Sequence, residues 1–483
     1  MASIQEHVLR RMGFGASPGD LAYYGDLSPL ALAQTLLNFD RVEDDVDANI
    51  GRPEYAGITT RGMFAPDTAI NDARQRWIFR MVHSRRPLQE KMALFWHNHF
   101  ATAYSKINGT FGSVHATKMM DAKSANFGGA FRGQVQLFRD MALGSFRDLL
   151  VEVARDPAML VWLDGRTNIR TRPQENFGRE LMELFTMGIG NYVEADVYAA
   201  ARVFTGWNLE LAGDRTNEVT SYYRFVYNAA QHDPTAKEFT FEIYPGGGRV
   251  IPARAAGQGM QDGLDLIEAL ARHPSTAARL ATRLYQYFVN DVDAPDQALI
   301  RDAAQAYLAG NYSIKAMLQR MLLSEQFLNG ANAFRHYSWP AEFAVRAIKE
   351  TGWTGLSVDS AITPLLNMGQ QLYEPPDVNG WALGAEWIST ASMLARMNYA
   401  STLAANQKFN LARDAAPYSQ TPDRALDYLL TRFSNAGFSG DGRAALVEYL
   451  QAGVTWNGSA PQLNAKIAGA AHLIVGAGEY QFN

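Results

Sequence analysis

The clearest candidate metal ligands in the chain are two histidines separated by one residue. His97 and His99 lie in the stretch Trp-His-Asn-His-Phe, about ten residues after Pro87, where we predict that a helix begins. A His-x-His pair converges on one ion when the backbone is extended or when a helix ends between the two residues, whereas in a continuous helix the side chains diverge by about 200°. The spacing is compatible with a helix terminus, and also with two histidines that lie in the core.

Four polar residues share one face of a second predicted helix, which starts at Glu175. At about 100° per residue they fall within roughly a third of the helix circumference. The residues of this polar strip are Asn176, Arg179, Glu180 and Glu183. Large apolar residues flank the strip, which predicts a buried polar network. Burying such groups is costly unless each is paired or holds an ion, so either Arg179 neutralises the carboxylates or an exogenous group does.

A third histidine extends the candidate ligand set. His232 and Asp233 are adjacent in a predicted loop, and loops commonly carry functional residues. Together with His97, His99 and the strip carboxylates they would form a His/carboxylate set that suits Zn, Mn, Fe or Ca, and an open coordination position would activate water for hydrolysis. An ordinary surface histidine is the alternative interpretation of His232.

A metal-free enzyme is the second hypothesis. Two carboxylates would act as acid and base in a sugar cleft lined by tryptophans. The candidate carboxylates are Glu180, Glu183 and Asp377, with Glu175 and Asp164 as further choices, and the candidate cleft residues are Trp96, Trp207, Trp381 and Trp387. Most tryptophans of a protein this large are core residues, so the aromatic pattern is weak support.

Substrate binding would involve arginines as well as the aromatic residues. Arg170 and Arg179 are candidates for an anionic substrate, such as a sulfated or carboxylated glycan, because a guanidinium group pairs with such groups bidentately. Asn176, Trp207 and Trp381 complete the predicted substrate-binding set. Internal pairing of Arg179 with neighbouring carboxylates is the structural alternative.

The sequence contains no motif for a nucleotide cofactor. It has neither a Gly-x-Gly-x-x-Gly stretch nor a Walker loop. Residues 15–19 match Gly-x-Ser-x-Gly, but a helix precedes them where a nucleophile elbow needs a strand, and Ser17 before Pro18 is typical of a helix N-cap. We therefore expect no nucleotide cofactor.

Composition excludes several other classes. The 483 residues carry a net charge of -5 and contain no cysteine, so disulfides, thiolate nucleophiles and Cys-ligated metals are excluded. No basic patch indicates a nucleic-acid partner, and no apolar run approaches the roughly 20 residues of a membrane span. The N-terminal residues lack the regions of a signal peptide, which predicts a cytoplasmic protein as written, or a periplasmic or secreted one if a leader was removed.

Periodicity predicts a mostly α-helical fold, a large multi-helix array with one small antiparallel β insertion. Apolar residues recur at helical spacing along most of the chain, whereas Ser221 to Ile251 alternates, with three glycines from Gly246 as a turn. We divide the chain into an N-terminal helical region with the candidate site (1–210), the β insertion (211–256), a second helical region (257–405) and a C-terminal helical tail (406–483).

Several stretches together resemble a bacterial family, domain-of-unknown-function family 1800. They include Leu-Arg-Arg-Met-Gly-Phe-Gly-Ala-Ser, Phe-Trp-His-Asn-His-Phe-Ala-Thr, Glu-Asn-Phe-Gly-Arg-Glu-Leu-Met-Glu-Leu-Phe and Glu-Pro-Pro-Asp-Val-Asn-Gly-Trp, in the expected order. The resemblance implies a large bacterial protein, often exported and often encoded beside a protein similar to sulfatases and phosphatases, which would be a partner. It implies no established activity, and this chain lacks an obvious export signal.

These observations favour a divalent-metal-dependent hydrolase of an extracellular or anionic polymer, such as a polysaccharide. Its site would lie where the Glu175 helix meets the His97 segment and the Asp377 loop. A non-catalytic glycan- or protein-binding or assembly protein is one alternative, and a metal-independent glycosidase with paired carboxylates is the other.

Overall fold

The computed structural model describes residues 4–433, 437–453 and 455–483. α-Helices form most of these residues, which confirms the predicted mostly α-helical fold. The helices that precede the first strand are α1 (Ile4–Arg11), α2 (Pro18–Tyr24), α3 (Pro29–Leu37), α4 (Ile70–His83), α5 (Pro87–His99), α6 (Tyr104–Asp121), α7 (Gln134–Asp140), α8 (Phe146–Arg155), α9 (Pro157–Trp162), α10 (Asn176–Glu180) and α11 (Glu194–Val203). α10 continues directly into a π-helical turn, Leu181–Phe185.

A second series of helices follows the strands and ends close to the C-terminus. These helices are α12 (Met260–Arg272), α13 (Pro274–Phe288), α14 (Gln297–Ala309), α15 (Ile314–Leu322), α16 (Glu325–Leu328), α17 (Pro340–Thr351), α18 (Ile362–Asn367), α19 (Thr390–Asn406), α20 (Lys408–Ala415), α21 (Pro422–Arg432), α22 (Gly440–Gln451) and α23 (Ala460–Gly476). None of the helices in the described ranges has the length and apolar character needed to cross a membrane.

The β structure consists of two small antiparallel ladders. β1 (Trp207–Ala212) pairs with β2 (Tyr222–Tyr227), and β3 (Lys237–Glu238) pairs with β4 (Val250–Ile251). β1 therefore begins at Trp207, earlier in the chain than Ser221, where the alternating pattern starts. The alternation after Glu238 is real, since Phe239, Phe241 and Ile243 are all buried, but this segment closes a local turn through the N–H of Ile243 to the carbonyl of Gly248.

The helices share one hydrophobic core. Buried apolar side chains form a connected cluster that includes Val8 of α1 and Tyr480 near the C-terminus. Local signals fix the helix starts: Ser17 Oγ accepts a hydrogen bond from the N–H of Asp20, as an N-cap should. This contact confirms the structural interpretation of Ser17.

Three distant segments meet at the C-terminal end of α5. The Oδ1 atom of Asn98 accepts a hydrogen bond from the N–H of Trp381 at 2.6 Å, and Nε2 of His99 lies 3.0 Å from the carbonyl oxygen of Phe185. The backbone of Gly380 lies very close to Asn98, since a Cβ added at Gly380 would be 2.2 Å from Asn98 Oδ1. The segment that contains Gly380 and Trp381 begins at Tyr373. Tyr373 is fully buried and has a φ of 65°, a strained conformation for a bulky residue.

Candidate functional site

The two histidines of α5 lie in separate aromatic surroundings. α5 continues to His99, so the helix does not end between the two residues and their rings diverge. The ring of His97 contacts those of Trp77, Tyr373 and Trp381. The rings around His99 are those of Phe95, Trp96, Phe100, Phe146 and Phe185.

Both imidazoles are neutral at ordinary pH. Burial lowers the pKa of His97 to about 3, and neither of its nitrogens has a hydrogen-bond partner. Burial also lowers the pKa of His99, and the charge of Arg283 adds to this effect. The neutral tautomer of His99 that donates from Nε2 to the Phe185 carbonyl leaves Nδ1 without a partner.

His232 and Asp233 belong to a different polar cluster, at the start of α12. Nδ1 of His232 lies 2.9 Å from the carbonyl oxygen of Thr205, and Nε2 lies 3.3 Å from Asp262, which also pairs with Lys237 and Arg254. Burial raises the pKa of Asp233, but hydrogen bonds from Arg202 and Thr235 outweigh this and lower it to about 2. These contacts join the β ladders to the helices.

No group of three or more His, Asp or Glu side chains is arranged to hold a metal ion in the part of the chain that the structure describes. His97 and His99 have no hydrogen-bonding partner or ring neighbour in common with each other or with His232 and Asp233, which both contact Thr205. A divalent metal therefore stays a prediction from the sequence.

The predicted polar strip lies at the surface and is not a buried network. Asn176 is exposed and donates a hydrogen bond to Asp164 at 3.1 Å. Arg179 pairs with Glu194 and with Glu175, one turn earlier in the chain, and not with the strip carboxylates. The interpretation that Arg179 neutralises Glu180 and Glu183 is wrong, because its side chain extends toward the start of α11.

The strip carboxylates have contrasting surroundings. Glu183 lies in the π-helical turn and accepts a hydrogen bond from the hydroxyl of Tyr192. Glu180 makes no hydrogen bond or ion pair with any described residue, and burial together with the charge of Glu183 raises its pKa. π-Helical turns occur frequently at functional sites.

The four tryptophans proposed for a sugar cleft are core residues, so that prediction is wrong. Trp207 is 1% exposed and Trp381 3% exposed, and Trp96 and Trp387 are equally buried. Each ring packs against other apolar side chains; Trp207, for example, contacts Phe204 and Phe225.

Arg170 and Asp377 are exposed and take part in local turns. The N–H of Arg170 donates to the carbonyl oxygen of Gln231 at 2.8 Å. Oδ1 of Asp377 accepts a hydrogen bond from the N–H of Asn379 at 2.7 Å, which is the usual contact of an Asx turn. Neither residue lines the pocket beside the C-terminal end of α5.

A pocket of about 170 Å³ opens beside the C-terminal end of α5 and is called the α5–α13 pocket. Its walls contain three aromatic rings, those of Phe95, Tyr287 and Trp339, and Leu383 and Gly384 close one side. The polar lining consists of Asn98, Arg283, Gln286, Asp291 and His336. It therefore combines apolar walls with a few polar groups, as ligand sites usually do.

Arg283 is the unusual member of this lining. It makes no hydrogen bond or ion pair with any described residue. Burial, and secondarily the charge of Arg279, lower its pKa to about 10, so it is still a cation at neutral pH. Asn98 also presents its amide N–H groups, since only its Oδ1 is used, by Trp381.

A buried ionic network forms the rear of the pocket. Nδ1 of His336 lies 3.1 Å from Asp291, and Nε2 lies 3.0 Å from Glu342, which also pairs with Lys91. Burial disfavours protonation of His336, but the two carboxylates outweigh this and raise its pKa. Because a carboxylate lies beside each ring nitrogen, these contacts favour the protonated form of His336.

The residues of α13 that line this pocket were not predicted from the sequence. Arg283 and Gln286 line the pocket, and Arg279, one turn earlier, lies on the same face of the helix. The sequence of α13 did contain a signal of unpaired positive charge, since the helix has two arginines and no carboxylate. His336 and Asp291, by contrast, have no recognisable motif.

Comparison with known proteins identifies a family and no individual relative. The model of a family described as "Protein of unknown function (DUF1800)" matches residues 7–482. No curated protein and no solved structure matches the chain. The match covers nearly the whole chain and includes every residue of the α5–α13 pocket.

Proposed function

The chain belongs to the DUF1800 family, and from its own geometry we propose that it binds an anionic group of a ligand, a carboxylate, sulfate or phosphate, in the α5–α13 pocket. The observation that carries this proposal is the guanidinium group of Arg283, which lines the pocket and has no acidic partner among the residues that the structure describes. A guanidinium fork is suited to bidentate pairing with planar and tetrahedral anions.

The charges around the pocket support the proposal. The carboxylates of Asp291 and Glu342 face the cations of Lys91, His336 and Arg11. Arg283 adds a further positive charge. Buried charges are stable when they are compensated, so an excess of cations favours an anionic ligand.

The dimensions indicate which part of a ligand would enter. A volume of about 170 Å³ is below the range of roughly 300–1,000 Å³ that is typical of sites for drug-sized ligands. The pocket therefore suits one terminal group, with the anion at Arg283 and an apolar ring against Tyr287 and Trp339. The remainder of a polymer would lie outside.

Thermal unfolding and calorimetry with defined anions test this function. Sulfate, phosphate, acetate and glucuronate are compared at constant ionic strength, using the wild-type protein, Arg283→Gln and the control Arg320→Gln. Arg320 is 60% exposed and pairs only with Asp302 at 3.8 Å, so its loss should not affect the pocket.

We expect at least one anion to raise the Tm of the wild-type and control proteins, because a ligand that binds only the folded state stabilises it. Arg283→Gln should lose this response, and Arg283→Lys should retain a part of it, since lysine keeps the charge without the fork. An equal response of all three proteins, or no response of the wild-type protein to any anion, contradicts the proposal.

Hydrolysis of the bound polymer by Glu180 and Glu183 is a second candidate function. The specific observation is the raised pKa of Glu180 beside Glu183, a second carboxylate that accepts a hydrogen bond from Tyr192. Glu183 also faces Arg279, the neighbour of Arg283 on α13. Turnover of anionic and neutral polysaccharides, lost in Glu180→Gln without loss of folding, would support this function, and unchanged turnover in that variant would exclude it.

A further inference from the structure

A second cavity, of about 980 Å³, lies on another part of the molecule and is called the α4–α6 cleft. One wall is the long segment between α3 and α4, residues 38–69. The others are the end of α6 with the residues up to Phe127, and the loop that joins β1 to β2. None of its lining residues lines the α5–α13 pocket.

The carboxylates of this cleft are already paired with cations. Asp47 forms ion pairs with Lys123 and with Arg80, the latter at 3.2 Å. Asp67 lies 3.5 Å from Arg76, which pairs more closely with Asp121. Lys118 has no carboxylate partner among the described residues, but its ammonium group donates three hydrogen bonds to main-chain carbonyl oxygens. The charged groups of the cleft are therefore occupied, unlike Arg283 of the α5–α13 pocket.

Lys118 organises the loop between β1 and β2. Its ammonium group donates hydrogen bonds to the carbonyl oxygens of Val219 at 2.7 Å and Ser221 at 2.6 Å, and also to that of Glu218. These main-chain acceptors are consequently not available for pairing with an added peptide strand, which is how an extended peptide usually binds beside a hairpin.

Aromatic rings and uncharged polar groups form the accessible lining. The rings of Tyr222, Phe127 and Phe131 form a cluster, in which the centroid of Tyr222 lies 5.5 Å from that of Phe127 and 5.3 Å from that of Phe131. The hydroxyl of Tyr222 makes no hydrogen bond with any described residue. Asn126 and Thr220 are exposed at the rim.

We propose that the α4–α6 cleft binds a segment of a neutral oligosaccharide. A sugar ring has apolar C–H faces, which pack on aromatic rings, and hydroxyl edges, which require uncharged donors and acceptors. The paired charges disfavour an anionic chain, and the occupied carbonyls of the hairpin loop disfavour a peptide. The volume accommodates several linked sugars.

Calorimetric titration with three neutral hexasaccharides tests the inference: cellohexaose, chitohexaose and maltohexaose. Hexagalacturonate and a Ser/Thr/Val decapeptide serve as the charged and peptide comparisons. Tyr222→Ala should weaken the neutral ligand that binds by about tenfold or more. The matched control is Tyr223→Ala, because Tyr223 packs on Phe111 and His115 on the opposite face of β2 and should leave the affinity unchanged.

A second variant keeps the test decisive if Tyr222→Ala does not fold. Thr220→Trp places a large side chain at an exposed lining position and should block the cleft without altering the core. Binding of hexagalacturonate or the decapeptide in place of the neutral sugars, or no binding of any hexasaccharide, overturns the inference. Arg283→Gln should bind the hexasaccharide normally, so this site and the anion pocket succeed or fail separately.

Discussion

Nε2 of His99 lies 3.0 Å from the carbonyl oxygen of Phe185, and this contact connects the last residue of α5 to the last residue of the π-helical turn. The turn carries Glu183, and α5 carries Asn98 of the α5–α13 pocket. One buried hydrogen bond therefore holds together the two segments that carry the candidate polar groups.

Replacing His99 should cost more stability than replacing His97. His99→Leu removes the partner of the Phe185 carbonyl, which should lower the free energy of unfolding by about 1–3 kcal/mol. His97→Leu is the matched control, since His97 is equally buried but has no hydrogen bond to lose. Urea unfolding followed by circular dichroism compares the two, and equal losses would contradict the assigned role of His99.

The pH dependence of stability should contain a term from His97. Its pKa of about 3 lies below the unfolded value of about 6.5. The unfolded chain therefore takes up the proton first, so the contribution is complete above pH ~6.5 and is lost toward pH ~3, by about 1.4 kcal/mol per pH unit. His97→Leu should lose less stability than the wild-type protein over this interval. Asp233→Asn is the control, because the pKa of Asp233 is lowered to about 2 and its contribution is lost only below pH ~4.

Glu342→Gln should be strongly destabilising. Glu342 is fully buried and compensates both Lys91 and His336, so its neutralisation leaves buried cations without a partner, at a cost of about 3–5 kcal/mol. Glu194→Gln is a suitable control, because its pairing with Arg179 is at the surface and should matter little. Chemical denaturation measures both, and a small effect of Glu342→Gln would show that the network is hydrated.

Gly380→Ala and Gly190→Ala separate backbone strain from close contact. Both glycines have a positive φ, 87° and 88°, so each alanine should cost roughly 1–2 kcal/mol in strain. Only Gly380 approaches another segment, with Asn98 Oδ1 at 2.2 Å from the added Cβ, whereas Gly190 has nothing within 4 Å. Gly380→Ala should be the more destabilising and should also weaken anion binding. Similar Tm values for both variants would indicate that the loop can move away.

The predicted metal is tested directly by elemental analysis. A bound divalent metal predicts a stoichiometric content of Zn, Mn, Fe or Ca and a lower Tm after treatment with a chelator. Because the rings of His97 and His99 diverge, a metal held by one of them should be lost in His97→Leu or in His99→Leu but not in both. A metal-free protein whose Tm does not respond to the chelator would remove the metal-dependent hydrolase from consideration.

The sequence by itself determined the helical class and the local signals. Periodic apolar residues specify helices through neighbours three and four positions away, and N-caps such as Ser17 act within one turn, so both can be read from a short window. The same reasoning located the segments that meet at the end of α5, since the stretches around His97, Glu180 and Asp377 each combine unusual polar residues with large apolar ones.

Only the tertiary structure decided which groups are buried, paired or free. Arg179 has a partner on α11, Glu342 meets Lys91 from a distant part of the chain, and Arg283 pairs with no carboxylate of the described ranges. The tryptophans likewise line the core because several helices converge on them. Burial and charge compensation depend on contacts between residues far apart in sequence, and these contacts are fixed by packing and not by local pattern.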